Sequence, residues 1–514
     1  MPDVVNIGEV AVPGTYFLLK KQNHRFDGFK TPRVDASKDL SLVYTYTRHV
    51  DPTLKKALLS MIRGARNKIF LASFLLGDNE VLEELVKAAE RLMGGVYVIT
   101  AIDDSSLRRG TEEYDPEDQP DDMDAATRKK QLDGLTRKGI YVRGHSSCHA
   151  KFLVVDDFIS MVSTANFEKN ALSKNCECAL IVRKPEEIQR LSRFFGSLWF
   201  EGCDFELLPS SGTYSVADRQ GHPPPFTVLP PAKTTSDGAI WTNGENHSLL
   251  THIQHTISSA RRTLLLASWS LKGMREHPSL ILEPLGEALE KNKGLLVKLL
   301  IRGRNNDPEQ RETAKLLSDM GVRVFPHSWN HAKCAIADAR EGCIFSANFD
   351  AAHGLTNGVE VGYRTSGKSL LQISEFFEHA MENADRTVVT DPTQSEINER
   401  MGMTWCEKWP LPHHMQVSSS RSDWDLFRKA VQSAPVLFEQ EKEGSEVLLY
   451  LGELSFRLRK KKKEPDSLSY QLKLRQPHET SAQQSFDMLL KWMRTPHGPN
   501  RGFCPAVMVR TLGK

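Results

Sequence analysis

Two stretches of this sequence follow one plan. RNKIFLASFLL begins at Arg66 and RRTLLLASWSL begins at Arg261. Each is an apolar run of strand length. In the first copy Val81, Leu82, Leu85, Val86, Ala89 and Leu92 then fall on one face of a helix. Leu280, Ile281, Leu282, Leu285 and Leu289 take that part in the second. Buried-strand patterns follow in GVYVITAID from Gly95 and LLVKLLIRG from Leu295. A further helix closes on Gly139 and on Gly321, as helices often do. Strands alternating with helices predict a layered α/β sheet. Two copies with aligned punctuation predict a pair of halves related by a pseudo-two-fold axis.

A chain of 514 residues has room for about three domains. Its balance of 39% hydrophobic and 26% charged residues excludes a wholly disordered or collagen-like chain. We expect an N-terminal segment at 1–47, a first half at 48–205 and a second half at 246–395. Between the halves, Pro223–Pro225 and Pro230–Pro231 lie among Ser, Thr and Gly, and 206–245 reads as a linker. Beyond this, 396–514 reads as an accessory domain with β content. EVLLYLGELSFRLRK from Glu446 and SLSYQLKLRQ from Ser467 alternate like half-buried strands, with a hairpin loop across Lys460–Asp466. VPGTYFLLK near the N-terminus reads as a strand.

No apolar run approaches the ~20 residues a membrane span needs, and the N-terminus lacks a basic region followed by an apolar core. Eight cysteines without a Cys-x-x-Cys pair suggest reduced thiols. The expectation is an intracellular protein, cytoplasmic or nuclear. The overall charge of +2 hides an uneven distribution: residues 401–514 hold 18 Lys+Arg against 12 Asp+Glu. Glu112–Asp124 holds eight acids and no base, and reads as a surface loop. Any polyanion contact therefore comes from local patches, with Lys460, Lys461, Lys462 and Lys463 as candidates.

Each copy carries the same chemical constellation. His149-Ala150-Lys151 is followed by Asp156, and His331-Ala332-Lys333 by Asp338. Seven residues beyond each aspartate begin Ser163-Thr164-Ala165-Asn166-Phe167 and Phe345-Ser346-Ala347-Asn348-Phe349. Glu177 and Glu360 lie 28 and 29 residues after their histidines. In a strand, residues two apart share a face, so each half offers a base, a cation, a hydroxyl and an amide together. That set suits phosphoryl chemistry. An imidazole attacks phosphorus or protonates a leaving oxygen. Lysine and asparagine hold the non-bridging oxygens as charge builds. A carboxylate such as Glu177 accepts the other ring N–H and fixes the tautomer.

These motifs resemble those of the phospholipase D superfamily, whose signature is H-x-K-x4-D-x6-G-S-x-N. The resemblance spans roughly 48–395. It implies two α/β/α halves facing each other, with one active site formed within the chain. It also implies a metal-independent, two-step reaction without cofactor, through a covalent phosphohistidine. On this match His149 is the nucleophile, and His331 the general acid and then general base. Lys151, Asn166, Lys333 and Asn348 grip the phosphate. Thr164 and Ser346 match the family serine. Glu177 matches a glutamate that orients the histidine, and Glu360 fits after a one-residue insertion. Asp156 and Asp338 support the structure. The family glycine is replaced by Ser163 and by Phe345, and bulk at Phe345 is expected to restrict access near His331.

The motif specifies a bond and leaves the substrate open. Absence of membrane segments and a basic tail favour a nuclease or nucleic-acid phosphodiesterase, with DNA or RNA as partner. A peripheral phospholipase acting on phospholipid is the alternative, and a non-catalytic nucleic-acid-binding module on the same fold is the third class. Cys148 and Cys334 should point away from the motif face. His145 and His327 either line the cleft or mark a strand start. Phe74 and Trp269 follow the Ala-Ser dipeptide in both copies, where core packing is expected ahead of contact with a base or lipid.

Overall fold

The computed structural model describes residues 14–20, 38–46, 52–102, 125–210, 213–218, 237–244, 246–305, 307–350, 354–393, 396–397 and 400. Beyond these it describes strands within 414–419, 439–443, 446–451, 454–461, 464–474 and 510–511. The acidic stretch Glu112–Asp124, most of the Pro-rich run and Lys462–Lys463 lie outside the described residues. The chain divides into two compact units. One comprises 24–303 with 313–386, and the other 1–23, 304–312 and 387–514.

The larger unit holds two mixed sheets. Strands of the first, in chain order, are β2 (Leu40–Thr45), β3 (Ile69–Ser73), β4 (Val96–Ala101), β5 (Tyr141–His145), β6 (Phe152–Val155), β7 (Ile159–Ser163), β8 (Glu177–Val182), β9 (Phe205–Ser210) and β10 (Thr213–Asp218). Those of the second are β11 (Gly238–Asn243), β12 (Asn246–His247), β13 (Thr263–Ser268), β14 (Leu296–Arg302), β15 (Arg323–His327), β16 (Cys334–Ala337), β17 (Glu341–Phe345) and β18 (Glu360–Ser366). The first sheet contains the order β5-β4-β3-β6-β7-β8-β2, and the second the order β15-β14-β13-β16-β17-β18-β11. In each, the first three strands are parallel and the remaining pairings antiparallel. The sequence repeat is thus a repeat of sheet topology.

The repeat is wider than the periodicity suggests. β2, from the N-terminal segment, occupies the place that β11, from the expected linker, occupies in the second half. β9 and β10 extend the first sheet beyond β5. Proline and polar residues mark the connection, but composition averaged over a window conceals the short strands at its ends.

Helix faces follow the apolar spacing. Helix Asn79–Arg91 buries Val81, Leu85 and Ala88, and its N-cap Asp78 accepts the Val81 N–H at 3.2 Å. Helix Leu282–Lys291 buries Leu282, Leu285 and Ala288. A single apolar core joins the halves. Phe194, from helix Pro185–Ser197 of the first half, stacks on Trp241 of β11 with centroids 4.7 Å apart. Phe376, from helix Gly367–Glu382 of the second half, lies 5.7 Å from Tyr44 of β2. Helix Pro185–Ser197 thus packs on β11 of the second sheet, and helix Gly367–Glu382 on β2 of the first.

In the smaller unit, β1 (Thr15–Leu19) pairs with β19 (Arg386–Thr390). A six-stranded antiparallel sheet is built from β20 (His414–Ser419), β21 (Glu439–Glu443), β22 (Glu446–Leu451), β23 (Leu454–Lys461), β24 (Glu464–Leu474) and β25 (Arg510–Thr511). The alternating segments after Glu446 are its central strands.

Candidate active site

The two motif histidines lie where the halves meet. The segment before β6 runs beside the segment before β18: His149 donates its backbone N–H to Val359 O at 2.9 Å, and Val359 donates to Ser147 O at 2.8 Å. The segment before β16 runs beside that before β8 in the same way. His331 N–H reaches Cys176 O at 3.0 Å, and Cys176 N–H reaches Trp329 O at 2.7 Å. These two short parallel bridges put each histidine next to the glutamate of the other half.

His149 Nδ1 lies 2.7 Å from Glu360 Oε1 in an aligned hydrogen bond. His331 Nδ1 lies 2.6 Å from Glu177 Oε1, although that oxygen receives no aligned hydrogen bond. The spacing within one motif copy suggests a glutamate serving its own half's histidine, and the structure exchanges them. The second oxygen of each carboxylate is held by the motif hydroxyl. Thr164 Oγ1 donates to Glu177 Oε2 at 2.6 Å, and Ser346 Oγ donates to Glu360 Oε2. Those hydroxyls also accept backbone N–H groups, from Cys178 at 3.0 Å and from Val361 at 2.9 Å.

Lys151, Lys333, Glu177 and Glu360 are fully buried. Lys151 Nζ donates to His149 O at 2.6 Å, and Lys333 Nζ sits 3.2 and 3.3 Å from the two nitrogens of His331. Burial pushes both carboxylates up to about 7 against the pull of the lysines. Burial also pushes Lys151 down to about 7, opposed by Glu360. His331 falls well below its ordinary value, through burial first and then the charges of Lys333, Lys151, His149 and Arg302. Asn166 and Asn348 are buried two residues beyond the motif hydroxyls.

Other motif residues build the frame. Asp156 accepts the backbone N–H groups of Arg66, Asn67 and Lys68 at 2.6, 2.8 and 2.8 Å. Asp338 does the same for Arg261, Arg262 and Thr263 at 3.0, 2.8 and 2.8 Å. Both adopt left-handed backbone, at φ 56° and 53°, which Asp tolerates better than most residues. In the repeated Ala-Ser dipeptide, Ser73 Oγ accepts the Phe167 N–H at 3.1 Å and Ser268 Oγ accepts the Phe349 N–H at 3.0 Å. These serines pin the turns carrying the asparagines, a role that only the repeat itself signals.

His145 and His327 cap turns. Their Nδ1 atoms accept the N–H groups of Ser147 and Trp329 at 3.0 and 2.9 Å. Phe74 and Trp269, expected in the core, are half-buried against the motif imidazoles, with centroids 5.0 Å from His149 and 5.9 Å from His331. Phe345, whose bulk is expected to restrict access near His331, ends β17. It is fully buried opposite Gly362, where an added Cβ would come within 3.0 Å of the Phe345 Cβ. Cys148 and Cys334 are buried in the shared core. Lys460 and Lys461 end β23.

Among the described residues, no helix is long and apolar enough to cross a membrane, and no group of three or more His, Cys, Asp or Glu is arranged to hold a metal ion.

The family described as cardiolipin synthase, PLD-like domain, matches residues 58–199. The DISARM protein DrmC of Bacillus paralicheniformis is 27% identical over 150 residues, which is 28% of this chain and 56% of that protein. The chain thus matches little more than half of that relative's length. Among solved structures, phosphatidylserine synthase of Haemophilus influenzae is similar at 13% identity and a TM-score of 0.49, covering 68% of this chain and 87% of that one. The phospholipase D family member Nuc of Salmonella typhimurium is similar at 19% identity and a TM-score of 0.25, covering 32% of this chain and 95% of that one. Residues 58–199 thus carry a phospholipase D-like domain, and the His-Ala-Lys motif within it recurs from His331.

Proposed function

We propose that this protein is a metal-independent phosphodiesterase acting on nucleic acid through a phosphohistidine on His149. One observation carries the reading: two imidazoles face one site, each with Nδ1 on a buried carboxylate of the opposite half. Glu360 accepts the hydrogen bond of His149 Nδ1–H, which fixes the tautomer and leaves the Nε2 lone pair to attack phosphorus. As the P–N bond forms and the P–O bond breaks, His331 gives its proton to the departing oxygen. Lys151, Lys333, Asn166 and Asn348 take up the charge on the non-bridging oxygens. Water then attacks the phosphohistidine, its proton passes to His331, and the P–N bond breaks.

His331 is poised for both directions of transfer. Burial first, and then the charges of Lys333, Lys151, His149 and Arg302, favour its neutral form. An arriving phosphate offsets them and raises its affinity for a proton, which Glu177, raised to about 7, is placed to share near neutral pH. Thr164 and Ser346 act through the carboxylates as positioning residues. The aromatic walls Phe74 and Trp269 suit planar bases, and the tail's excess of Lys and Arg suits a polyanion. The description of the matching family favours phospholipid as the second reading.

The test is mass spectrometry of His331→Ala mixed with an aryl phosphodiester in excess EDTA. An aryloxide departs without a proton, so the variant should form the adduct and stall for want of a base. The adduct is expected on the peptide bearing His149. An adduct on His331 in His149→Ala, with none here, reverses the roles. Wild-type turnover in both variants removes the mechanism, and loss of wild-type turnover in EDTA removes metal independence. Parallel assays on labelled DNA, RNA and phospholipid vesicles decide the substrate class.

A further inference from the structure

The two halves match closely enough that their differences stand out, and three differences fall in one place. Lys174 lies three residues before Glu177, Trp329 two residues before His331, and Arg302 at the end of β14. Lys174 Nζ sits 4.2 Å from the centroid of the Trp329 ring, and the Arg302 guanidinium carbon 5.1 Å from it. Trp329 therefore carries one cation from each half. The backbone bond from Cys176 to Trp329 O fixes this group beside the His331–Glu177 pair. Arg302 is close enough for its charge to act on His331.

At the equivalent places around His149 the residues are small and neutral. Ser147 stands for Trp329, since Val359 N–H bonds to its carbonyl as Cys176 N–H bonds to that of Trp329. Asn357, three residues before Glu360, stands for Lys174. Ala101 stands for Arg302, because Thr100 pairs with Ser73 as Ile301 pairs with Ser268. Both motif lysines and both motif histidines are kept, so the shared chemistry gives no reason for this one-sided pair of cations. Lys174 and Trp329 are partly exposed, and the buried Arg302 backs the ring from the second half.

We propose that Lys174, Arg302 and Trp329 form a second phosphate subsite, one-sided among the described residues, that lies on the His331 side and holds the backbone phosphate next to the one being cleaved. A site with two similar halves accepts a diester in either orientation. A cationic lip on one side removes that degeneracy by capturing the neighbouring phosphate of a polynucleotide, so that the leaving group is presented to His331 and His149 faces the opposite side of the phosphorus. This rests on the nucleic-acid reading above, since a phospholipid of one phosphodiester has no neighbouring phosphate to place.

The test compares a dinucleotide, with one phosphate, against trinucleotides extended on either side, in the full-length protein. Wild-type protein should gain about tenfold in kcat/KM when the extra phosphate lies on one side and little on the other. Lys174→Ala and Trp329→Ser should each lose most of that gain, and Lys174→Arg should retain it. The salt dependence of trinucleotide KM should fall in Lys174→Ala by about 0.7 in log–log slope. Equal gains on both sides in the wild type, or a gain that survives Lys174→Ala and Trp329→Ser, would overturn the subsite. If these variants lose only thermal stability, the group is a staple between the halves and nothing more. If the wild type cleaves and binds no nucleic acid but turns over an aryl diester, the substrate reading has failed; weaker binding of Lys174→Ala to anionic phospholipid vesicles would then assign the cations to a lipid surface.

Discussion

The aspartates that complete each motif never face the site, yet they decide its shape. Asp156 satisfies three consecutive N–H groups of the turn Arg66–Lys68, and its own backbone is left-handed. Asp156→Ala should cost about 2–4 kcal/mol, through three lost charge-assisted acceptors and a strained φ. Asp156→Asn keeps the tolerance for that φ and part of the acceptance, and should cost less than half as much. Urea unfolding of the two variants checks the order; equal losses would mean that the hydrogen bonds do not matter. Residue types were readable at this scale, because imidazole, ammonium, hydroxyl and amide recur at fixed spacing. Contact partners were not. Alternation tells which side chains share a face of a strand, but it cannot tell that His149 meets Glu360, 211 residues away, rather than Glu177. Phe74 and Trp269 misled for a related reason: an aromatic after an apolar strand looks like core until the sheet's end is known to open on a site.

At the scale of elements, the repeat made the fold legible. Strand and helix periods, glycine stops and the Ala-Ser dipeptide aligned the two sheets before their pairing was known. What escaped was compensation across strands. Phe345 stands where the family keeps glycine, and the space it needs is supplied from β18 by Gly362. In the first half the smaller Ser163 faces Ala179. Gly362→Ala should therefore destabilise by about 1–3 kcal/mol, since its Cβ would also lie 2.9 Å from Ile344 O. Thermal melting of Gly362→Ala beside Ala179→Ser, which should be milder, checks this. A neutral Gly362→Ala would show that β17 and β18 part easily.

Across the whole molecule, the buried charges set a pH dependence. Glu177 and Glu360 rise from 4.5 to about 7 on folding, so the folded chain holds protons that the unfolded chain has lost. Their contribution is full below about 4.5 and is lost as pH rises through about 7. Lys151 falls from 10.5 to about 7, so the unfolded chain holds the extra proton there, and stability returns as pH climbs from about 7 to 10.5. Stability should dip near neutrality. The double variant Glu177→Gln, Glu360→Gln should flatten the acid side of the dip, as read from urea midpoints at about pH 5, 6 and 7. An unchanged slope would remove the carboxylates from the account. The basic tail offers a separate test of the nucleic-acid reading. Replacing Lys460–Lys463 with Gln should lower the salt slope of single-strand binding by about 0.7 for each lysine that meets a phosphate. No change would leave binding to the larger unit.

The exchange of glutamates between halves also bears on synthesis. When the first half leaves the ribosome, His149 is present but Glu360 has not been made. Glu177 is present, yet its histidine lies in a segment still to come. Neither imidazole has the partner that aligns it until the second sheet closes on the first. A nascent or truncated chain therefore lacks both imidazole–carboxylate pairs, and the two pairs are completed together when the second half is made.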